Sequence, residues 1–281
     1  MLDLRRTPLT GRAMPDQAVV IVTGASSGIG EAVAVLVAEH RHHVVLVSRS
    51  ENELLRVAER CREAGCASVM VVPTDVSDDV QVAALLGEVV GRHGRVDGVA
   101  HCAGQVTYGR VEETSAATFD QVIATNVSGS ANVARHAISR MRAQEAGVLV
   151  LVGSLLGHVA VPEMTPYVVS KWGVRALARQ LSIENVDLRH VHVSHVAPGS
   201  VDTPIYGNAL ESAGGVNRPP PPAISPERVA RVVLGQLNRP SRSRQTAWSN
   251  HALILAFQAM PRVYDRLIGP VFRLTSRPAR R

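Results

Sequence analysis

Six short apolar runs between residues 18 and 199 constrain the fold more than any other feature. They read "AVVIVTG" (18–24), "HVVLVSR" (43–49), "SVMVVPTDV" (68–76), "GVAHCAG" (98–104), "GVLVLVGS" (147–154) and "VHVSHVAPG" (191–199). They are rich in valine and mostly do not alternate apolar with polar residues, the pattern of strands covered on both faces. Between them lie stretches near 29–41, 51–64, 78–93, 117–143 and 166–186 that read as helices. Strand-then-helix repetition predicts an α/β chain with a doubly wound, mostly parallel sheet of about seven strands and helices on both faces. Aromatic residues make up only 3% of the 281, so the core must be aliphatic. The expected layout is a flexible leader over 1–17, without the apolar stretch of a signal peptide, one domain over 18–250, and a basic amphipathic helical extension over 251–281.

Charge is unevenly placed along the chain. Residues 218–281 hold 12 arginines against Glu227 and Asp265, whereas 18–217 carry a balance of −5 within a total of +6. A basic tail beside an acidic body does not describe a nucleic-acid-binding protein, and no nucleic acid partner is expected. Cys61, Cys66 and Cys102 show neither paired metal-ligand spacing nor a disulfide framework, which points to a reducing cytoplasm and no metal. No run approaches the roughly 20 apolar residues of a membrane span.

In a doubly wound sheet the ligand crevice lies beyond the carboxyl ends of the strands. The first run leads there into "TGASSGIG", which contains Thr23, Gly24, Ser26, Ser27, Gly28, Ile29 and Gly30. Glycines allow a tight turn and close approach to a pyrophosphate, and the following helix offers free N–H groups to it. After the first strand of this pattern, the turn reads as a Rossmann-like dinucleotide site. The second run ends at Ser48 and Arg49, with no carboxylate before Glu51. An acidic residue there would hold a ribose 2′-hydroxyl, whereas arginine accommodates a 2′-phosphate. NADP(H) is therefore the preferred cofactor and NAD(H) the second choice.

Lys171 is the only lysine among 30 basic residues. Tyr167 precedes it by four positions, on the same helix face, and a nearby ammonium favours a phenolate. Lysine does this as a compact, movable charge, unlike a planar guanidinium. Ser154 ends the fifth run, where it can hydrogen-bond a substrate oxygen beside the tyrosine. Asn126, inside the 117–143 stretch, either belongs to this site or, as a polar side chain in a helix commonly does, faces solvent or caps a backbone group.

Taken together these motifs resemble the short-chain dehydrogenase/reductases in their single-domain form, over about residues 18–240. They comprise TGxxxGxG at Thr23, Gly24, Gly28 and Gly30, the Asp75–Val76 pair, Asn126 in "ATNVSG", Ser154, YxxxK at Tyr167 and Lys171, and "PGSVDTP" over 198–204. The resemblance implies a tetrad in which Tyr167 is the general acid/base and Lys171 lowers its pKa and binds the nicotinamide ribose. Ser154 would orient the substrate oxygen and Asn126 would keep a water in a proton relay. Asp75 and Val76 would contact adenine, Ala103 and Gly104 would lie under the cofactor, and Pro198, Gly199, Val201 and Thr203 would hold the carboxamide. It also implies a homodimer or homotetramer built on the helices near 117–143 and 166–186. One departure is "HCAG" over 101–104, where the family usually reads "NNAG"; hydrogen bonds that tie this strand to its neighbour are then lost, and His101 and Cys102 read as core residues.

The expected activity is an NADP(H)-dependent interconversion of carbonyl and alcohol. Its alternative is a non-catalytic NADP(H)-binding regulator or scaffold acting through the basic tail. The stretches 155–166 and 205–215, largely apolar, are the expected walls of a lipophilic substrate site, with His158, Glu163 and Tyr206 as polar contacts. In the extension, Leu253, Ala256, Phe257 and Met260 share one face, and Val263, Leu267, Val271 and Leu274 another. Packing of these faces on the body is expected ahead of peripheral membrane contact.

Overall fold

The computed structural model describes residues 14–210 and 219–276. In chain order it contains β1 (Val19–Thr23), α1 (Gly28–Glu39), β2 (His43–Ser48), α2 (Glu51–Glu63), β3 (Ser68–Pro73), α3 (Asp79–His93), β4 (Gly98–His101), α4 (Ala116–Ile123) and α5 (Gly129–Ala143). It continues with β5 (Gly147–Val152), α6 (Thr165–Glu184), β6 (Val191–Ala197), α7 (Pro226–Asn238), β7 (Ser243–Gln245), α8 (Trp248–Ala259) and α9 (Pro261–Ser276). Every residue of β1, β5 and β6 is buried, the environment their unalternating runs require. The seven strands form one sheet in the order β3-β2-β1-β4-β5-β6-β7, with every pair parallel. The order reverses between β1 and β4, which opens a crevice at the carboxyl ends of those two strands.

Successive strand residues point to opposite faces, so each strand feeds two cores. Val20, Val22, Leu46 and Val150 pack with Leu54 of α2, Val33 of α1 and Leu237 of α7. Ile21, Val45, Val99 and Leu149 pack with Leu85 of α3, Met141 of α5 and Val174 of α6. Helix starts follow local chemistry. Asp78 accepts from the Val80 and Gln81 N–H groups to cap α3, and Ser225 accepts from Arg228 N–H ahead of Pro226 in α7.

Three features depart from the sequence pattern. The helix expected over 117–143 is interrupted by a π turn at Ala124–Ser128. The seventh strand, "SRQ", is polar and three residues long, so it carries no hydrophobic signal. In the extension, α9 packs through Tyr264 and Phe272, while Val263, Leu267, Val271 and Leu274 face solvent. Tyr264 Oη donates to the Ala160 carbonyl at 2.8 Å, and the Phe257 ring lies between those of Trp172 and Tyr264.

Of the expected leader, residues 1–13 lie outside the described residues, and Met14 packs against the core. Residues 211–215 of the expected substrate wall and 277–281 of the basic tail also lie outside them. No helix among the described residues is long and apolar enough to cross a membrane.

Candidate active site

The crevice at the reversal point is a cavity of about 460 Å³. Its inner wall is the turn after β1, where Gly24 and Gly28 adopt φ of +65° and +56°. A side chain at Gly24 would place Cβ 2.8 Å from Ala103 Cα, and one at Gly30 would place it 2.1 Å from the Gly24 carbonyl oxygen. Glycine is therefore required twice, for the left-handed turn and for close packing of α1 under it. Ser27, at the N-cap of α1, makes no capping bond with its side chain, leaving first-turn N–H groups for a ligand. A cradle of this shape and polarity fits a dinucleotide pyrophosphate.

Of the residues marked from sequence, the cavity is lined by Gly24, Ser26, Ser27, Gly28, Ile29, Gly30, Ser48, Arg49, Asp75, Val76, Ala103, Gly104 and Thr203. Thr23 lies behind it, fully buried, and accepts from Ala103 N–H at 3.3 Å. Pro198, Gly199 and Val201 are outside the lining: the Pro198 carbonyl accepts from Leu155 N–H, and Gly199 is backed by Asn250 of α8. Arg49 is exposed at the rim and makes no hydrogen bond or ion pair with the described residues. Asp75 is held by the Ser77 N–H and hydroxyl at 2.9 and 2.7 Å. The motif reading missed Ser50, Thr74, Cys102, Gln105 and Thr125 in the lining, while Pro204 of the 198–204 motif and Ile205 and Asn208 of the expected substrate wall line it as well. Most adjoin a marked residue, so sequence adjacency was the available signal. Cys102, expected in the core, is half-buried at the cavity wall.

At the cavity floor a side chain on Gly104 would lie 3.3 Å from Asn126 Oδ1 and 3.4 Å from Lys171 Nζ. The tetrad and the cleft therefore meet at this glycine. Lys171, buried at 5% exposure, donates to the Val152 carbonyl at 3.3 Å, and its Nζ lies 5.5 Å from the Tyr167 ring centroid. Ser154 Oγ accepts from Leu156 N–H at 3.1 Å, and Ser154 stands near enough to the Tyr167 phenol to favour its ionised form. Asn126 lies in the π turn, buried. Its Oδ1 accepts from Gln105 N–H at 2.7 Å, and its Nδ2 donates to the Gln105 carbonyl and to Ser170 Oγ. The side chain thus ties the loop after β4 to α6.

His101 replaces the lost strand tie with another. Its Nδ1 is 2.8 Å from Thr23 Oγ1, its Nε2 is 3.0 Å from Ser130 Oγ, and Ser130 donates to the Asn126 carbonyl at 2.5 Å. Because the Ser130 hydroxyl is spent on that carbonyl, the network assigns the proton to His101 Nε2 and an acceptor role to Nδ1. Burial, then the neighbouring Lys171, pushes the His101 pKa down to about 3, so the ring is neutral. The result is one chain of bonds from the glycine turn to the π turn.

Burial also dominates the tetrad's electrostatics. It raises the Tyr167 pKa, assisted by Tyr206, and nearby Ser154 only partly opposes it. It lowers Lys171 to about 8. In these surroundings Tyr167 is held as a neutral phenol. Beyond it lies an apolar cluster of Val106, Tyr108, Met164 and Phe272, with Leu156, Val161, Ile205 and Tyr206 packed against it. Tyr206 stands here as expected, its Oη 3.4 Å from Ser200 Oγ. His158 does not: its Nε2 lies 3.1 Å from Gln245 Nε2, and it lines a separate cavity with Arg175 and His251. The Glu163 carbonyl accepts from Gly109 N–H. No group of three His, Cys, Asp or Glu side chains among the described residues is placed to hold a metal.

Residues 18–213 match the family model for short chain dehydrogenases. An uncharacterised oxidoreductase of Thermotoga maritima is 34% identical over 185 residues, covering 66% of this chain and 72% of that protein. An alcohol dehydrogenase from the archaeon Thermococcus sibiricus, complexed with 5-hydroxy-NADP, superposes with a TM-score of 0.70 at 30% identity, over 81% of this chain and 94% of that one. A short-chain dehydrogenase/reductase from Burkholderia phymatum in complex with NAD gives 0.77 at 25% identity, over 92% and 96%. With the family model matching well over half of the chain, and the parallel sheet and glycine cradle in place, this protein belongs to the short-chain dehydrogenase/reductases and is an oxidoreductase.

Proposed function

We propose that the protein interconverts a carbonyl and a primary or secondary alcohol on a lipophilic small molecule, using NADP(H), with Tyr167 as general acid/base. The observation that carries this reading is the convergence of Tyr167, Ser154 and Lys171 between the cleft floor at Gly104 and the apolar cluster. A bound nicotinamide supplies the hydride, and the protein supplies position and the proton. Held neutral by burial, the phenol is in the form that donates a proton to a carbonyl oxygen under reduction. Ser154, anchored by Leu156 N–H, offers its hydroxyl to the same oxygen. With a pKa of about 8, Lys171 is mostly charged at neutral pH and stabilises the phenolate left behind.

Arg49 supports the 2′-phosphate: it stands unpaired at the rim beside Ser48 and Ser50, with no carboxylate in the way. Tyr108, Met164 and Phe272 support a lipophilic substrate. Exposed Val169 and Ile183 on α6 support a homodimer or homotetramer, and the free cysteines support a reducing cytoplasm. A cofactor-binding scaffold would have no need to hold phenol, hydroxyl and ammonium together.

The test is loss of nicotinamide absorbance with NADPH and NADH across carbonyls graded from small aldehydes to bulky lipophilic ketones. Turnover of the bulky members with NADPH is expected. Tyr167→Phe should lower it by about 10³-fold while NADPH affinity stays within a few-fold. Equal loss of turnover and binding in that variant would sink the role given to Tyr167.

A further inference from the structure

Helix α9 has a wider apolar arc than the body covers. At about 100° per residue, Tyr264, Ile268 and Phe272 share the arc turned to the body, and Val263, Leu267, Val271 and Leu274 fall within about 80° of one another on the adjoining arc. These four are 52%, 55%, 50% and 79% exposed. Single exposed apolar residues need no explanation, but four at one-turn spacing form a continuous stripe. Arg262, Arg266 and Arg273 line up within about 40° beside it, all exposed, with Asp265 the only acid in the helix.

We infer that α9 docks this stripe on the surface of an anionic phospholipid bilayer, its apolar residues at the acyl boundary and its arginines on lipid phosphates. Charge identifies the occupant. The arginine row is left unbalanced within its own region, where 12 arginines over residues 218–281 face two acids. A second copy joined through the same face would bring like rows together. Nucleic acid would satisfy the arginines and leave the stripe in water. A helix with an apolar arc, a basic flank and too little length to span is the form that lies in a bilayer interface, with arginine stems following the apolar surface and their heads at the phosphates. The other side of α9 puts Phe272 into the cluster that Tyr167 borders. The lipid-facing helix is thus also a wall of the substrate region, which gives a lipophilic substrate a short route from membrane to site. That link rests on the reductase reading; the docking does not.

The experiment is flotation of the full chain with vesicles of phosphatidylglycerol and phosphatidylcholine, against phosphatidylcholine alone. Recovery with the anionic vesicles should exceed that with neutral ones by at least about tenfold, and should fall several-fold as salt rises. Leu267→Glu with Val271→Glu should abolish it, and Arg262→Gln, Arg266→Gln and Arg273→Gln together should reduce it by about tenfold. An unchanged melting temperature and unchanged NADPH affinity in the Glu pair would show that the body is intact, whatever the outcome of the carbonyl panel. The inference is overturned by absence of binding, by equal binding to both vesicles, or by undiminished binding of the Glu pair. It is equally overturned by a dimer in sedimentation that the Glu pair dissolves, since a second copy would then cover the stripe.

Discussion

On the cofactor side of the site the wall is, apart from Arg49 at its rim, mostly backbone and small side chains: Gly24, Gly28 and Gly30 in one turn, Ser48 and Ser50 at one strand end, and Ala103 and Gly104 at another. On the side where we propose that the substrate binds it is large side chains, with Tyr108, Tyr167, Tyr206 and Phe272 arriving from four separate segments. A chain with only four tyrosines and three phenylalanines places three and one of them there. The first wall depends on what is missing from each residue, so a substitution acts by intrusion. The second depends on what is present, so a substitution acts by leaving space. Lys171 and Asn126 stand where the two meet, touching the floor of the first and positioned by the helices of the second.

The sharpest way to break this contrast is Gly30→Ala. Its methyl would sit 2.1 Å from the Gly24 carbonyl, so NADPH affinity should fall by about 100-fold and the melting temperature with it. A variant that binds NADPH normally would show that the turn yields more easily than the packing implies. Next comes Arg49→Ala. Loss of a charge-assisted bond should weaken NADPH by about 30-fold and leave NADH within about twofold, since NADH offers no 2′-phosphate. Equal effects on both cofactors, read by fluorescence titration, would remove the phosphate contact.

On the other wall, Phe272→Ala should raise KM for bulky lipophilic carbonyls by about tenfold while leaving small aldehydes and NADPH affinity unchanged. A change in NADPH affinity instead would show that the two walls are not separable. The smallest effect is a pH dependence that comes from His101 behind the cofactor wall and from His195 in β6, beside His158. Burial holds His101 and His195 at about 3, below the unfolded value near 6.5. The unfolded chain therefore binds more protons between those values, and stability is lost as pH falls through that window. Each histidine contributes at most about 1.4 kcal/mol per pH unit. Denaturant midpoints at pH 7, 6 and 5 should show the decline, and His101→Asn should flatten it by one histidine's share. A flat profile would mean that neither ring is neutral by burial.

The cofactor wall was legible because its signals are local. Six valine-rich runs located the strands, and the glycine spacing after the first fell within a few residues of the observed cleft lining. The proximity of Tyr167 to Lys171 was legible in their four-residue spacing, whereas the electrostatics around them was not. Four-residue spacing suggested that the Lys171 ammonium sets the Tyr167 pKa, whereas burial, a property of all the segments around the ring, outweighs it. The π turn under Asn126 left no mark on the amphipathic pattern, and β7 is too short and polar to have one.

What the sequence by itself determined is therefore the part of the protein that depends on backbone freedom and on alternation along the chain. It specified a parallel sheet with helices on both sides and a glycine turn where the first strand ends, because both are dictated by residues adjacent in the chain. Only the tertiary structure decided how distant side chains share space. His101 bridges Thr23 and Ser130 in place of the expected strand tie, Phe272 of the last helix enters the apolar cluster beside Tyr167, and α9 turns one apolar arc inward and leaves the other bare. The periodicity of a helix shows that a face is apolar but not which neighbour covers it, since coverage belongs to the neighbour.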